Sequence, residues 1–287
     1  MYIMNAMVII WALGAALMYG VADYFGGRAS KVSKAAAVTF LGQSTALVLI
    51  AALIIFGDTP VMSTNDWLWS GFAGAGGAIA LVAFYQSMSL GSMTVVAPIS
   101  AIVGMCSPVV VGLLQGERPA PVAYLGMLLA VVAVALVGDV LDHHDLPTPL
   151  RAIVYAVISG LGFGVIFVCL AQTSQDAGLW PLLGQRLVSV PTVAIVGLLG
   201  VGRLKVDRRV IALAMLSGVL DTTANGLYLL AIHGGLLSLV GVITALYPVS
   251  TVGLAITLDQ EKLHKSQMVG LVLAAASLAM VGYASST

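Results

Sequence analysis

Apolar residues run along this chain in ten long blocks, each closed by charged residues or by a Pro, Asn or Asp break. The blocks cover roughly 5–25, 35–56, 67–88, 93–114, 122–138, 151–171, 179–200, 209–231, 236–258 and 267–284. They are continuous rather than alternating, which excludes a transmembrane β-barrel. A bilayer core about 30 Å thick needs about 20 apolar residues per helix. The pattern therefore predicts an all-α polytopic membrane protein of ten transmembrane helices. Ten such spans use about 200 of the 287 residues, and no soluble domain fits in the remainder. No basic stretch precedes the first block and a second block follows closely, so the first is expected to be a retained span rather than a signal peptide.

Composition sharpens that picture. Hydrophobic residues make up 60% of the chain and charged residues 8%, against about 25% charged in ordinary soluble domains. The net charge of +0 offers no basic footprint, so no nucleic-acid partner is expected. Cys106 and Cys169 stand alone in apolar runs, which leaves neither a disulfide framework nor a zinc site. No cofactor is expected.

The two glutamates, Glu117 and Glu261, stand 144 residues apart, half the chain length. At the same offset Gly20 meets Gly164, Gly74 meets Gly218, Gly91 meets Gly235, Gly126 meets Gly270 and Gly138 meets Gly282. Trp11 meets Tyr155, Tyr19 meets Phe163 and Phe84 meets Tyr228. We read two repeats, 1–144 and 145–287, of five spans each. An odd number of spans inverts the second repeat, and inverted repeats that rock about a central site are a transporter architecture. Glycine-dense stretches such as 71–77 and 160–164 serve helix packing rather than nucleotide binding. Placing the N-terminus outside puts ten basic residues, from Arg28 to Lys265, in the cytoplasm and only Arg118 outside, so charge favours both termini outside the cell membrane.

Several segments then resemble the drug/metabolite transporter superfamily, specifically its EamA-type ten-helix members. They are Tyr19-Gly-Val-Ala-Asp23-Tyr-Phe-Gly-Gly27, Val96-Ala-Pro98, Ser107-Pro108 through Gly116-Glu117-Arg118-Pro119, and Tyr247-Pro248 through Gln260-Glu261. The resemblance spans the whole chain. It implies a basket of ten helices with a cavity walled by spans 1, 3, 4, 6, 8 and 9, moving small metabolites, often amino acids or amines and often outward. Members are usually placed with both termini in the cytoplasm, opposite to the charge count here.

Candidate chemistry centres on Asp221, placed about 18 Å deep by helical rise. A carboxylate at that depth is costly and is expected to face a polar cavity, as a ligand for a substrate ammonium or a protonation site. Asn225 and Tyr228 share its helix face. The alternative is a buried Asp bonded to Thr222, Thr223 or a neighbouring helix. Tyr19 and Trp11 are candidates for an aromatic wall against a cation or an apolar group. Ser100, Thr244 and Tyr247 are candidates for the cavity lining. Asp23, near the end of its span, is a candidate either for a gate in contact with Arg28 or Lys31 or for substrate binding. Pro98, Pro108 and Pro248 are expected to kink spans 4 and 9, as hinges or as static bends.

Arg186 is expected to lie shallow, snorkelling to the interface or pairing with Asp176, with contact to a substrate carboxylate as the alternative. Gln43 and Gln185 are expected to bond between helices, and Glu117 and Glu261 to be structural. Asp139, Asp142, His143, His144 and Asp145 read as a solvated linker rather than a metal site, without ligands at helical spacing. His233 reads as a loop residue.

No G-x-x-x-x-G-K-[ST] occurs, which excludes an ATP-driven pump on this chain, and no H-E-x-x-H occurs. The expectation is a secondary carrier, proton-coupled or facilitated, for an amino acid, amine or organic cation, acting as a monomer or homodimer in the lipid bilayer. An intramembrane enzyme or a structural membrane protein is the alternative. Without deep basic clamps, sugar phosphates do not fit.

Overall fold

With no water in the bilayer to take up backbone hydrogen bonds, an apolar chain must close them internally, and helices do so within each segment. In a computed structural model, residues 6–55, 62–137, 148–201, 204–258 and 264–284 are described. They form helices α1 (Ala6–Val32), α2 (Ala35–Ile55), α3 (Thr64–Leu90), α4 (Met93–Leu114), α5 (Pro121–Val137), α6 (Leu150–Ala171), α7 (Trp180–Val201), α8 (Ile211–His233), α9 (Leu237–Thr244), α10 (Tyr247–Leu258) and α11 (Lys265–Ala284), and no strand occurs among them. Counting α9 and α10 as one span, eight spans are long and apolar enough to cross a membrane, and Pro121–Val137 and Lys265–Val281 are shorter apolar helices. Glu261 and the linker cluster from Asp139 to Asp145 lie outside the described residues.

Three features differ from the sequence expectation. Helix α1 runs seven residues beyond the predicted end at Phe25, because Gly26 and Gly27 pack inside it against Tyr85, Met88 and Met93. The ninth span is broken at Ala245–Leu246 into α9 and α10. Pro248 consequently sits in the first turn of α10, where its missing N–H costs nothing, rather than kinking a continuous helix. Pro98 and Pro108 do lie inside α4, which stays continuous, and Pro191 lies inside α7.

The repeat is visible in how the glycines pack. A Cβ on Gly126 would meet Ser277 and Val281 of α11, while one on Gly270 would meet Ala133 and Val137 of α5. Those partners are themselves 144 residues apart. Gly218 lies against the Gly42 backbone of α2, and its mate Gly74 lies against the Gln185 backbone of α7. Gly20 packs on Tyr247 and Ser250 of α10, as Gly164 packs on Gly104 and Ser107 of α4. Small residues let backbones approach this closely in membranes, where packing rather than hydrophobic exclusion holds helices together.

Hydrogen bonds tie the repeats at both ends. At one end Asp66, in a capping box with Ser63 at the start of α3, accepts from the Ser174 amide (2.7 Å) and hydroxyl (2.8 Å). There too Glu117, after the αL turn at Gly116, accepts from the Leu237 amide (2.6 Å), the Ser238 amide (3.0 Å) and the Ser238 hydroxyl (2.6 Å). It caps the start of α9, a structural role. At the other end the Asp207 amide donates to Ser33 Oγ (2.8 Å) and Ser87 donates to the Ala152 carbonyl (2.5 Å). Lys31, Lys34, Arg151, Lys205, Arg208 and Arg209 flank the contacts of that second end.

Candidate functional site

Helices α7 and α8 enter the bundle from opposite ends, and their polar residues meet at mid-depth. Arg186 of α7 is 1% exposed. Its Nη2 donates to Asp221 Oδ2 at 2.7 Å and to Thr222 Oγ1 at 3.0 Å, and its Nη1 donates to Gln43 Oε1 at 2.6 Å. The Ser189 hydroxyl donates to the same Gln43 oxygen at 2.7 Å. The shallow, snorkelling placement expected for Arg186, with Asp176 as partner, is therefore overturned. The guanidinium turns inward because α2 and α8 present acceptors there, and a charge buried with its counter-ion avoids the cost of one buried alone.

Asp221 is 6% exposed, and Asn225 and Tyr228 are buried on the same face. Asn225 Nδ2 donates to the Asp221 carbonyl (2.7 Å) and Tyr228 donates to the Phe167 carbonyl (2.9 Å). Tyr19, Phe167, Tyr228 and Tyr247 form a run of aromatic contacts, with ring centroids 6.0 Å apart for Tyr19–Phe167, 6.5 Å for Tyr19–Tyr247 and 4.7 Å for Phe167–Tyr228. Tyr19 lies within Coulombic range of Asp221, Arg186 and Asp23.

Asp23 is 5% exposed, about 26 Å along α1 from its start. It turns into the bundle rather than toward Arg28, whose Nη1 donates to the Tyr24 hydroxyl at 2.9 Å. That corrects the expected contact with Arg28 or Lys31. No described residue gives Asp23 a hydrogen bond or an ion pair. Tyr19, Tyr85, Tyr247 and Asp221 are its electrostatic neighbours. Tyr85 is anchored beside it. Ser217 donates its one hydroxyl proton to the Ala22 carbonyl (2.9 Å), so the Tyr85 hydroxyl is the donor in the 2.7 Å bond to Ser217.

The remaining candidates divide. Ser100 bonds Ser159 across α4 and α6 at 3.0 Å, and Tyr247 donates to the Ala97 carbonyl, one residue before Pro98, at 3.4 Å. Pro108 packs on Gly241 where α4 meets α9. Thr244 is fully buried at the α9–α10 break. Its hydroxyl has no partner among the described residues; neither do Tyr19 Oη, Asn225 Oδ1, Arg186 Nε and the Gln185 amide. Gln43 thus bonds between helices as expected, and Gln185 does not.

Trp11 does not join the aromatic run. It lines a lateral groove of about 630 Å³ with Leu49, Leu182, Thr222, Leu230 and His233. His233 closes α8 rather than lying in a loop, with its Nε2 2.9 Å from the Thr173 carbonyl. Beside Asp221, between Gln43, Tyr85 and Ser217, the space is about 10 Å³, room for at most about one water. No cluster of metal-ligating side chains occurs among the described residues.

Sequence reasoning missed Tyr85, Phe167, Ser189 and Ser217, residue types too common in apolar spans to stand out. It also missed the Arg186–Asp221 pair, for which a signal existed. Arg186 lies about 9 Å from the start of α7, and Asp221 about 15 Å from the start of α8. In a core about 30 Å thick, helices running in opposite directions put the two within the reach of one arginine side chain.

The helical bundle and its two-fold internal likeness agree with the comparisons. The model of the EamA-like transporter family matches residues 6–138 and again 150–283. The chain belongs to that family. Among curated proteins none matches. Solved structures do: 29 chains match, among them one described as "Crystal structure of protein". It superimposes with a TM-score of 0.71 over 96% of this chain and 97% of that one, at 16% identity, a likeness of fold. In this EamA-like chain each match to the family model covers one five-span half, and the Arg186–Asp221 pair lies inside the second.

Proposed function

We propose that this EamA-like chain is a secondary carrier exporting small metabolites that bear an ammonium group, namely amino acids, amines or organic cations. One observation carries the reading. Asp23 is a buried carboxylate without a partner among the described residues, in electrostatic range of Tyr19, Tyr85 and Tyr247. A cation is the natural counter-charge for a carboxylate buried without a partner. Asp221 differs, because Arg186 already holds it. Its role is to fix Arg186, Gln43 and Thr222 around the site, with the unpartnered oxygens of Tyr19, Asn225 and Thr244 as polar contacts for the cargo.

The inverted five-span repeats support alternating access, in which cargo reaches Asp23 when the repeats rock apart at one end. A proton and an ammonium compete for the one Asp23 carboxylate, and that competition couples cargo movement to a proton gradient. Both repeats lie in one chain, so the monomer suffices for transport, alone or within a homodimer. The basic end faces the cytoplasm of the plasma membrane, with both termini outside.

The test is efflux from proteoliposomes preloaded with labelled amino acids, polyamines and organic cations, with and without an imposed pH gradient. Selective, gradient-driven efflux is expected from wild type and is lost in Asp23→Asn, which keeps its monodisperse elution. Wild-type rate and pH dependence in Asp23→Asn would sink the assignment.

A further inference from the structure

Beside the basic end, α2, α3, α6 and α7 leave a groove of about 720 Å³ between the two repeats. Its head lies at the α1–α2 turn, where Lys31 and Lys34 stand beside Ser30 and Ser33. Neither lysine makes an ion pair among the described residues. Gln86 and Ser89 of α3 line the same head. Arg151 lies one helical turn before Tyr155, which lines the groove from α6. Away from the head the walls turn apolar, with Ile79 and Val82 of α3, Ile158 of α6 and Val196 of α7.

We propose that this groove binds one anionic phospholipid, its phosphate at Lys31 and Lys34 and one acyl chain along Ile79, Val82, Ile158 and Val196. Charge decides the occupant: the head presents two ammonium groups with no ion pair among the described residues, and no carboxylate lines it. Basic pockets between transmembrane helices are a recognised setting for anionic head groups. The apolar walls select a lipid over a free anion, since each buried methylene adds to binding. The site touches both repeats, α2 and α3 of one and α6 and α7 of the other, so the lipid bridges elements that must shift in the transport cycle. Nothing in this inference depends on what the carrier moves.

The test is native mass spectrometry of the full chain released from nanodiscs of equal phosphatidylglycerol and phosphatidylcholine. Wild type is expected to retain one phosphatidylglycerol in preference to phosphatidylcholine. The double variant K31Q/K34Q should lose roughly 30-fold in that retention, taking about 1 kcal/mol per surface lysine. The double variant K205Q/R208Q, at the same end but outside the groove, should retain it. Equal retention of the two lipids by wild type, or equal loss in both double variants, would overturn the proposal. So would displacement of the lipid by millimolar inorganic phosphate, which would mark a simple anion site. The wild-type lipid preference needs no variant to fold.

Discussion

The two halves of this transporter share a backbone plan and differ in what they bury at repeat-related positions. Arg186 and Asp221 have Gly42 and Gly77 as their mates at the 144-residue offset. Asp23 has Phe167, Asn225 has Leu81 and Tyr228 has Phe84. Where helices cross, at Gly126 and Gly270 or Gly74 and Gly218, the halves kept the same small residues. Where side chains point into the interior, they diverged. A bundle closed by backbone contacts tolerates different interiors, so packing preserves the repeat while the charged residues of the centre, Asp23, Arg186 and Asp221, sit on α1, α7 and α8.

The largest effect expected from that asymmetry is on stability. Arg186→Met leaves Asp221 buried without its counter-ion and should cost about 3–5 kcal/mol. Thermal unfolding in micelles measures it. Replacing both partners, as in R186M/D221L, makes this place apolar like its mate in the first half and should recover most of that loss while leaving no transport. If the double variant is as unstable as the single, the pair is not the unit that the packing indicates.

Next come the shared glycines. A Cβ on Gly218 falls on the Gly42 backbone, and one on Gly74 falls on the Gln185 backbone. Neither neighbour is a flexible side-chain tip. Gly218→Ala and Gly74→Ala should each cost about 1–3 kcal/mol by overpacking, and by similar amounts. A large loss at one and none at its mate would mean that the two crossings are not equivalent.

A smaller effect tests the divergence directly. Tyr228→Phe installs the residue found at Phe84 and removes the bond to the Phe167 carbonyl. It should cost about 0.5–1.5 kcal/mol, measured by the same unfolding transition. No loss would mean the phenol is free to serve cargo rather than bound to α6.

Much of this was legible in the chain. Apart from the end of the first and the break in the ninth, the ten apolar blocks located the spans within a few residues, and the fourth, 93–114, coincides with α4. Asp221, Asn225 and Tyr228 were placed on one buried face by helical spacing alone. What sequence could not show was azimuth across helices. Arg186 looked shallow because depth was measured from its own helix end, while the side chain's direction is set by acceptors on α2 and α8. Trp11 and Tyr19 share α1, yet one faces the lateral groove and the other the interior. The break at Ala245–Leu246 carries no stronger signal than Pro248, and α4 holds two prolines without breaking.

That break isolates the smallest and most discriminating prediction. Ser100 and its mate Thr244 are both fully buried hydroxyls. Ser100 meets Ser159 at 3.0 Å. The mate of Ser159 is Ala15, which has no hydroxyl to offer, and Thr244 has no partner among the described residues. An unpartnered buried hydroxyl costs about 1–3 kcal/mol to keep, a cost that the cargo contact proposed for Thr244 would offset. Thr244→Val should therefore leave stability unchanged or raise it by about 1 kcal/mol, while raising the KM for efflux. Ala15→Ser restores in the second half the pairing seen in the first, and should stabilise by a similar amount while slowing transport. If Thr244→Val is destabilising and transport is untouched, the hydroxyl holds the α9–α10 break and is no part of the cargo site.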